Sequence, residues 1–388
     1  MSIDTPAQPT TKVGLDVIVS RDDLQRALAF TGVAVATRPP VPILTGVHIR
    51  AYNHAVTLST SDYSTWMWEE IPAPGASGEA VLPHGALQKI LKSLPKGALT
   101  VTIKVDGERA IVSDGEMTFK VLTLPIEEHP ERPHRAEHRV LEMPGALFST
   151  MVTKVTSAAS RDETLPVLTG VCFRVGMDGT FLYATDRYRL TSYEINQVPE
   201  VTRSPLIPAK VLTAVAGHLK TSDLVRVWTD EIRRTKANGF FSTISDGRRG
   251  ATVLEIEGDY PNVERLFPTE VHTTVDLDTT DLLQAIKQVD VALERNLPVR
   301  LDLDGDPVLV RAGSADSMEA ERPLKVSAVH DGQPVTGVAF NPTFLIGAVK
   351  SCGDNVRMSL NLSTKPVLFT SADDAAFRHL LVPIRFAQ

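Results

Sequence analysis

The chain has 388 residues, 43% of them hydrophobic but only 6% aromatic, and its net charge is −7. That length exceeds one ordinary core and predicts two or three domains built on aliphatic side chains. The acidic balance excludes a protein that grips nucleic acid over its whole surface, but it leaves room for a basic patch on one face.

Residues 1–13 lack the basic and apolar regions of a signal peptide and read as a disordered tail. A helical pattern follows at 21–36, with apolar residues at i, i+3, i+4 and i+7 spacing. Next come Pro-Ile-Leu-Thr-Gly-Val at 42–47 and a strand-like AVTLSTSD at 55–62. A second helix is expected at 83–94, with Pro83 at its start, where a missing N–H costs nothing. Strands at 99–105 and 109–115 lead to a Pro- and charge-rich stretch, 127–138.

The order then repeats: a helix at 144–160, Pro-Val-Leu-Thr-Gly-Val at 166–171, a helix at 208–219 and a strand at 224–230. The offset between the two Pro-x-Leu-Thr-Gly-Val segments is 124, and Asp62 matches Asp186 at the same offset. Val112-Ser-Asp-Gly matches Ile244-Ser-Asp-Gly at an offset of 132. A third, fainter copy has helices at 279–294, where Thr280 and Asp281 suggest the N-cap, and at 341–352. Between them the run 302–306, Asp-Leu-Asp-Gly-Asp, reads as a hairpin turn rather than a calcium loop, because it lacks the downstream Glu and flanking helices. The pattern is α+β, in three units of 14–135, 136–268 and 269–388. Repeated units in series favour arcs or closed rings.

No catalytic constellation survives inspection. P-loop, GxSxG, HExxH and post-strand GxGxxG motifs are all absent from the sequence. Cys172 and Cys352 have no CxxC context and read as reduced structural thiols of a cytoplasmic protein. No stretch of 18 apolar residues predicts a membrane span. No cofactor or metal is expected.

Seven segments in order resemble the β sliding clamp of bacterial DNA polymerase III. They are RPPVPILTGV (38–47), ETLPVLTGVCF (163–173), LYATDRYRL (182–190), GDYPNVERLFP (258–268), AFNPTFL (339–345), KPVLF (365–369) and LLVPIRF (380–386). The Thr-Asp-Arg-Tyr-Arg-Leu form looks more like actinobacterial clamps. The resemblance implies three clamp-type domains, each with two inner helices and outer antiparallel sheets. Two protomers would join head to tail into a ring around duplex DNA. The chain would then be a non-catalytic processivity factor. Its partners would be duplex DNA without sequence preference, the polymerase α subunit, the clamp loader and other proteins bearing a clamp-binding peptide. An accessory, resistance-type or phage-encoded homologue acting as a protein-binding scaffold is the alternative.

Carried over residue by residue, the resemblance implies a peptide pocket of Leu168, Thr185, Tyr188, Arg189, Leu190, Pro261, Arg265, Leu266, Asn341, Phe344, Val382, Pro383, Ile384 and Arg385. An apolar cleft with a few polar groups is what an extended peptide needs for anchoring and register. DNA-facing cations are expected at Arg38, Lys89, Lys92, Lys154, Arg161, Lys210 and Lys287, since a sliding ring needs phosphate attraction without base readout. Phe119 on the first domain, with Val291 and Leu293 on the third, would form the ring interface.

Overall fold

The computed structural model describes residues 14–36, 38–95, 97–133, 136–176, 179–197, 199–232, 239–293, 297–314 and 317–385. The expected tail at 1–13 lies outside them. By internal packing the chain divides into two compact units, one of residues 1–148 and 214–255 and the other of 149–213 and 256–388. They follow the sheets, which do not respect the sequence repeat.

Six helices form among the described residues, each at a predicted site: α1 (Arg21–Thr31), α2 (His84–Ser93), α3 (Gly145–Thr156), α4 (Ala209–Leu219), α5 (Thr279–Val289) and α6 (Pro342–Cys352). The residues after α1 and α5 tighten into short 3-10 turns, so these two helices end sooner than their periodicity suggests. The cap of α5 also differs from expectation. Asp278, not Thr280, lies outside the helix in extended conformation, and its carboxylate accepts from the Asp281 N–H at 2.7 Å. Asp278, just outside the first turn, reaches an orphan donor that Thr280, already helical, does not.

In the first unit the described strands form one twelve-stranded antiparallel sheet. It runs from the edge strand Thr118–Leu122 through Gly14–Ser20 and Gly46–Tyr52 to Thr65–Pro72. There it continues into the second repeat by pairing with Arg249–Leu254, in the register Thr252↔Trp66, and ends at His138–Met143. The strands alternate buried and exposed residues, as in Gly14–Ser20, where Leu15, Val17 and Val19 face the core. α1 and α2 close that core with Leu24, Leu28, Leu87 and Leu91.

Gly78 shows how closely this sheet is packed. Its φ is +82°, and a Cβ there would lie 1.8 Å from the Gly14 carbonyl oxygen. We expect Gly78→Ala to cost about 2–5 kcal/mol, from left-handed backbone strain plus overpacking. Urea unfolding of the variant checks this; an unchanged midpoint refutes it.

Among the described residues the second unit holds a nine-stranded sheet and a four-stranded one. The larger joins Gly170–Gly176, Gly179–Thr185 and Arg189–Ile195 to Phe377–Leu381 through the register Leu190↔Leu380 and Thr191↔His379. The smaller pairs Val299–Asp302 with Leu309–Gly313, so the acidic run at 302–306 lies in a hairpin connection. Phe340, Phe369 and Phe377 are fully buried in this unit.

The repeat has a structural cause. Thr45 and Thr169 each close a 3-10 turn by donating their hydroxyls to Pro42 and Pro166, at 2.8 and 2.7 Å. The glycines that follow leave room for packed side chains: a Cβ on Gly46 would meet Val81 at 2.5 Å, and one on Gly170 would meet Leu206 at 2.7 Å. A second device, a hairpin turn opened by Ser or Thr followed by Asp, recurs four times, at 61–65, 113–117, 185–189 and 245–249. In each, the aspartate Oδ1 accepts two backbone N–H groups, while the preceding hydroxyl oxygen accepts a third. The residue after the aspartate has positive φ: Tyr63 (+72°), Gly115 (+101°), Arg187 (+78°) and Gly247 (+99°). Both sequence offsets, 124 and 132, connect these turns.

Candidate binding cleft

The second unit contains an open cleft of about 380 Å³. Its floor is the buried set Leu168, Leu190, Val263 and Leu380. Leu190, Val263 and Leu380 belong to an apolar cluster with Cys172, Phe181, Tyr183 and Leu206, so the floor is anchored in the core. The walls are Thr185, Arg187, Tyr188, Arg189, Pro261, Asn262, Arg265, Leu266, Pro366 and Val382. Several apolar wall residues are exposed, notably Tyr188 (56%), Leu266 (48%) and Val382 (40%). Exposed apolar side chains gathered around an apolar floor are the arrangement of a recognition site rather than of scattered surface residues.

The turn at 185–189 positions one wall. Asp186 Oδ1 accepts from the N–H of Tyr188 (3.0 Å) and Arg189 (2.8 Å), and its Oδ2 takes Arg189 Nε at 2.9 Å. The Thr185 hydroxyl donates to the Arg189 carbonyl at 2.6 Å and accepts from the Arg187 N–H at 3.1 Å. Arg189 is thereby fixed, and its guanidinium lies 4.5 Å above the Phe344 ring. Tyr188 stacks on the same ring at 6.2 Å between centroids. Its carbonyl accepts from the Val382 N–H at 2.9 Å, which ties the last described segment to this wall.

Beneath the cleft, burial pushes the Cys172 thiol up to about 12 and raises the Tyr260 phenol. Both are therefore neutral across the physiological range. Cys172 and Cys352 are free and buried, as expected of structural thiols.

Nine of the expected pocket residues line the cleft: Leu168, Thr185, Tyr188, Arg189, Leu190, Pro261, Arg265, Leu266 and Val382. Phe344 does not, but it adjoins the cleft through Tyr188 and Arg189. Asn341, Pro383, Ile384 and Arg385 are not brought into the lining. Asn341 is occupied as the N-cap of α6, accepting from the Phe344 N–H at 3.2 Å. Pro383 is buried, the Ile384 N–H donates to the Ala339 carbonyl at 2.8 Å, and Arg385 is exposed. The expectation missed Arg187, Asn262, Val263, Pro366 and Leu380, all of which lie inside the quoted motifs 182–190, 258–268, 365–369 and 380–386.

Of the cations expected to face DNA, Arg38, Lys89, Lys92, Arg161, Lys210 and Lys287 are exposed and form no ion pair among the described residues. Lys154 differs from the expectation of a free, DNA-facing cation. Its ammonium is 2.7 Å from the Asp374 carboxylate, 16% exposed, and 5.0 Å from the Phe377 ring centroid. Its charge is thus neutralised within the second unit. Phe119 lies on the edge strand Thr118–Leu122, half-buried against the first unit's core, while Val291 is 80% exposed and Leu293 half-buried. Among the described residues, no His, Cys, Asp or Glu cluster could hold a metal ion, and no helix is long and apolar enough to cross a membrane.

Comparison with known proteins matches each of the three sequence units to a domain of one family. Residues 15–133, 142–262 and 264–385 match the N-terminal, central and C-terminal domains of the DNA polymerase III beta subunit. The chain is 34% identical to the beta sliding clamp of Streptomyces coelicolor, over 96% of this chain and 100% of that protein. It is 32% identical to the beta sliding clamp homolog GriR of Streptomyces muensis, over 95% and 98%. The beta sliding clamp of Bacillus subtilis is 26% identical over 95% and 98%. Two solved structures share the fold, each matched over 96% of this chain and 100% of the other. They are the Bacillus subtilis DNA polymerase sliding clamp (TM-score 0.84, 23% identity) and a Pseudomonas aeruginosa sliding clamp bound to griselimycin (TM-score 0.85, 21% identity). Three matched domains and full-length relatives of this kind place the chain in the beta sliding clamp family, the beta subunit of bacterial DNA polymerase III, in an actinobacterial-like form.

Proposed function

We propose that two copies of this chain close head to tail around duplex DNA, and that the cleft of the second unit holds the replicative polymerase, the clamp loader and other partners by a short peptide. The cleft carries the reading: an apolar floor rooted in the core, with a wall fixed by the Asp186 turn, suits an extended peptide with apolar anchors. The ring is supported by the family, by the open outer edge of the strand Thr118–Leu122 at the end of its sheet and by exposed Val291. An unpaired edge offers main-chain donors and acceptors to a second chain.

The exposed, unpaired cations Lys89, Lys92, Arg161, Lys210 and Lys287 attract phosphate without reading bases, which permits sliding. No chemical step is needed. The benefit is effective concentration, because a tethered polymerase rebinds the primer end instead of diffusing away. Such work belongs in the cytoplasm, beside the chromosome.

Light scattering behind a sizing column, over a range of concentrations, tests ring closure. The expected species has twice the chain mass of 42.2 kDa, about 84 kDa, and persists on dilution. After loading, the protein should stay on closed circular DNA and leave when the circle is cut. A strict monomer that never stays on circles overturns the ring and favours the scaffold reading.

A further inference from the structure

The charges around the cleft are one-sided. Among the described residues, Arg187, Arg189 and Arg265 line it and no carboxylate does. Arg189 is neutralised by Asp186, whose two oxygens are already committed to the turn and to Arg189 Nε. Arg187 and Arg265 are exposed and form no ion pair among the described residues. Asp162 is close enough to feel the charge of Arg187 but makes no ion pair with it; its carboxylate accepts instead from the Thr164 hydroxyl (2.7 Å) and N–H (3.0 Å). Glu264, the neighbour of Arg265, pairs with Arg174. Two uncompensated cations therefore border an apolar floor, on a chain whose overall charge is −7.

Arg187 is placed there by the backbone. It occupies the positive-φ position of the Thr185–Arg189 turn, where two of the three equivalent turns carry glycine. A long cationic side chain held at φ +78° bears a strain of about 1–2 kcal/mol relative to glycine. Burial does not repay that strain, since Arg187 is exposed.

We infer that this cleft selects peptides whose apolar anchors are flanked by acidic residues, with Arg187 and Arg265 as the specificity-determining cations. The inference rests on the peptide-binding reading given above. An apolar segment fills the floor of Leu168, Leu190, Val263 and Leu380, and a neighbouring carboxylate lies at the rim between Arg187 and Arg265. Rim charges of this kind act on association rate and salt dependence more than on the buried contacts. Selection against basic flanks follows from the same field, because two like charges meet there.

The test uses the full chain and two fluorescein-labelled synthetic peptides that differ at two positions: Gly-Asp-Asp-Ser-Leu-Ser-Leu-Phe-Gly and Gly-Asn-Asn-Ser-Leu-Ser-Leu-Phe-Gly. By fluorescence polarisation the acidic peptide should bind about tenfold more tightly at 50 mM salt, and the gap should shrink to about twofold at 500 mM. Arg187→Gly, which keeps the turn and relieves its strain, should remove most of the gap, and Arg265→Ala part of it. Arg187→Glu should reverse the preference toward a third peptide, with Lys-Lys in place of Asp-Asp. Equal affinity of the native chain for the acidic and neutral peptides at low salt overturns the charge selection while leaving the cleft reading intact. Failure of every peptide to bind, or binding unaffected by Leu168→Asp, overturns the cleft reading itself.

Discussion

Lowering the pH from 6.5 to 4.5 should weaken the second unit by about 2–3 kcal/mol through His379 alone. This side chain is fully buried on the strand Phe377–Leu381, opposite Thr191 and edge-on to Phe377. Neither of its ring nitrogens finds a partner among the described residues. Burial, reinforced by the positive charge of Arg189, pushes it down to about 3 from the ordinary 6.5. The unfolded chain therefore takes up the proton first. Stability is fully present above about pH 6.5 and is lost as pH falls towards 3, at up to about 1.4 kcal/mol per unit for such a group.

His129, held near 4 by burial and by His48, makes the first unit acid-sensitive in the same direction. The lowered carboxylates, such as Asp246 and Asp162, lose their contribution only below about 4, so the window above that belongs to histidine. His379→Leu removes the buried imidazole and its unmatched polar atoms. At pH 7 we expect it to be neutral or stabilising by about 1–3 kcal/mol, with a flatter pH dependence. Denaturant midpoints at pH 7, 5.5 and 4.5 decide the matter; a variant with the native slope defeats the argument.

Asp186→Ala should separate binding from folding. The substitution removes three charge-assisted hydrogen bonds that hold the Tyr188 and Arg189 backbone and the Arg189 guanidinium. The loss to the turn is about 2–4 kcal/mol, reduced by whatever water recovers. Arg189 would then swing from Phe344, the wall would loosen, and peptide affinity should fall about thirtyfold or more. Asp62→Ala is the matched control. Asp62 makes the same backbone bonds to Ser64 and Thr65, at 3.0 and 2.7 Å, in the first unit and far along the chain from the cleft residues. It should lose comparable stability yet bind peptide as the native chain does. Equal binding losses in the two variants would mean that the effect is general unfolding.

Much of this was legible in the residues because local chemistry determined it. The six helices came from periodicity, and Asp62 and Asp186 stood out at one offset because both cap the same turn. The sequence is ambiguous where short-range alternatives compete. Asp278 outcompeted Thr280 for the α5 cap by one geometric detail, its extended backbone. Lys154 looked like its exposed neighbours on other helices, but its partner Asp374 lies 220 residues away, beyond any local pattern. The lining residues Val263 and Leu380 carry no polar signal in the sequence, and in the structure they are core as well as floor. The sheet junction between Thr65–Pro72 and Arg249–Leu254 had no signal of its own, since pairing partners at that separation are chosen by tertiary context.

That junction has a consequence for synthesis. The strand ending at Pro72 pairs with one that begins at Arg249, so its outer hydrogen-bonding edge stays open until roughly 180 more residues have been made. At ordinary translation rates the delay is about 10–35 s. During it, the nascent chain displays a tryptophan-bearing strand, Trp66 and Trp68 among its residues, with an unsatisfied row of amides and carbonyls. Ribosome-bound chains arrested between residues 80 and 240 should therefore be the species most dependent on chaperones, and release of Arg249–Leu254 from the exit tunnel the event that ends that dependence.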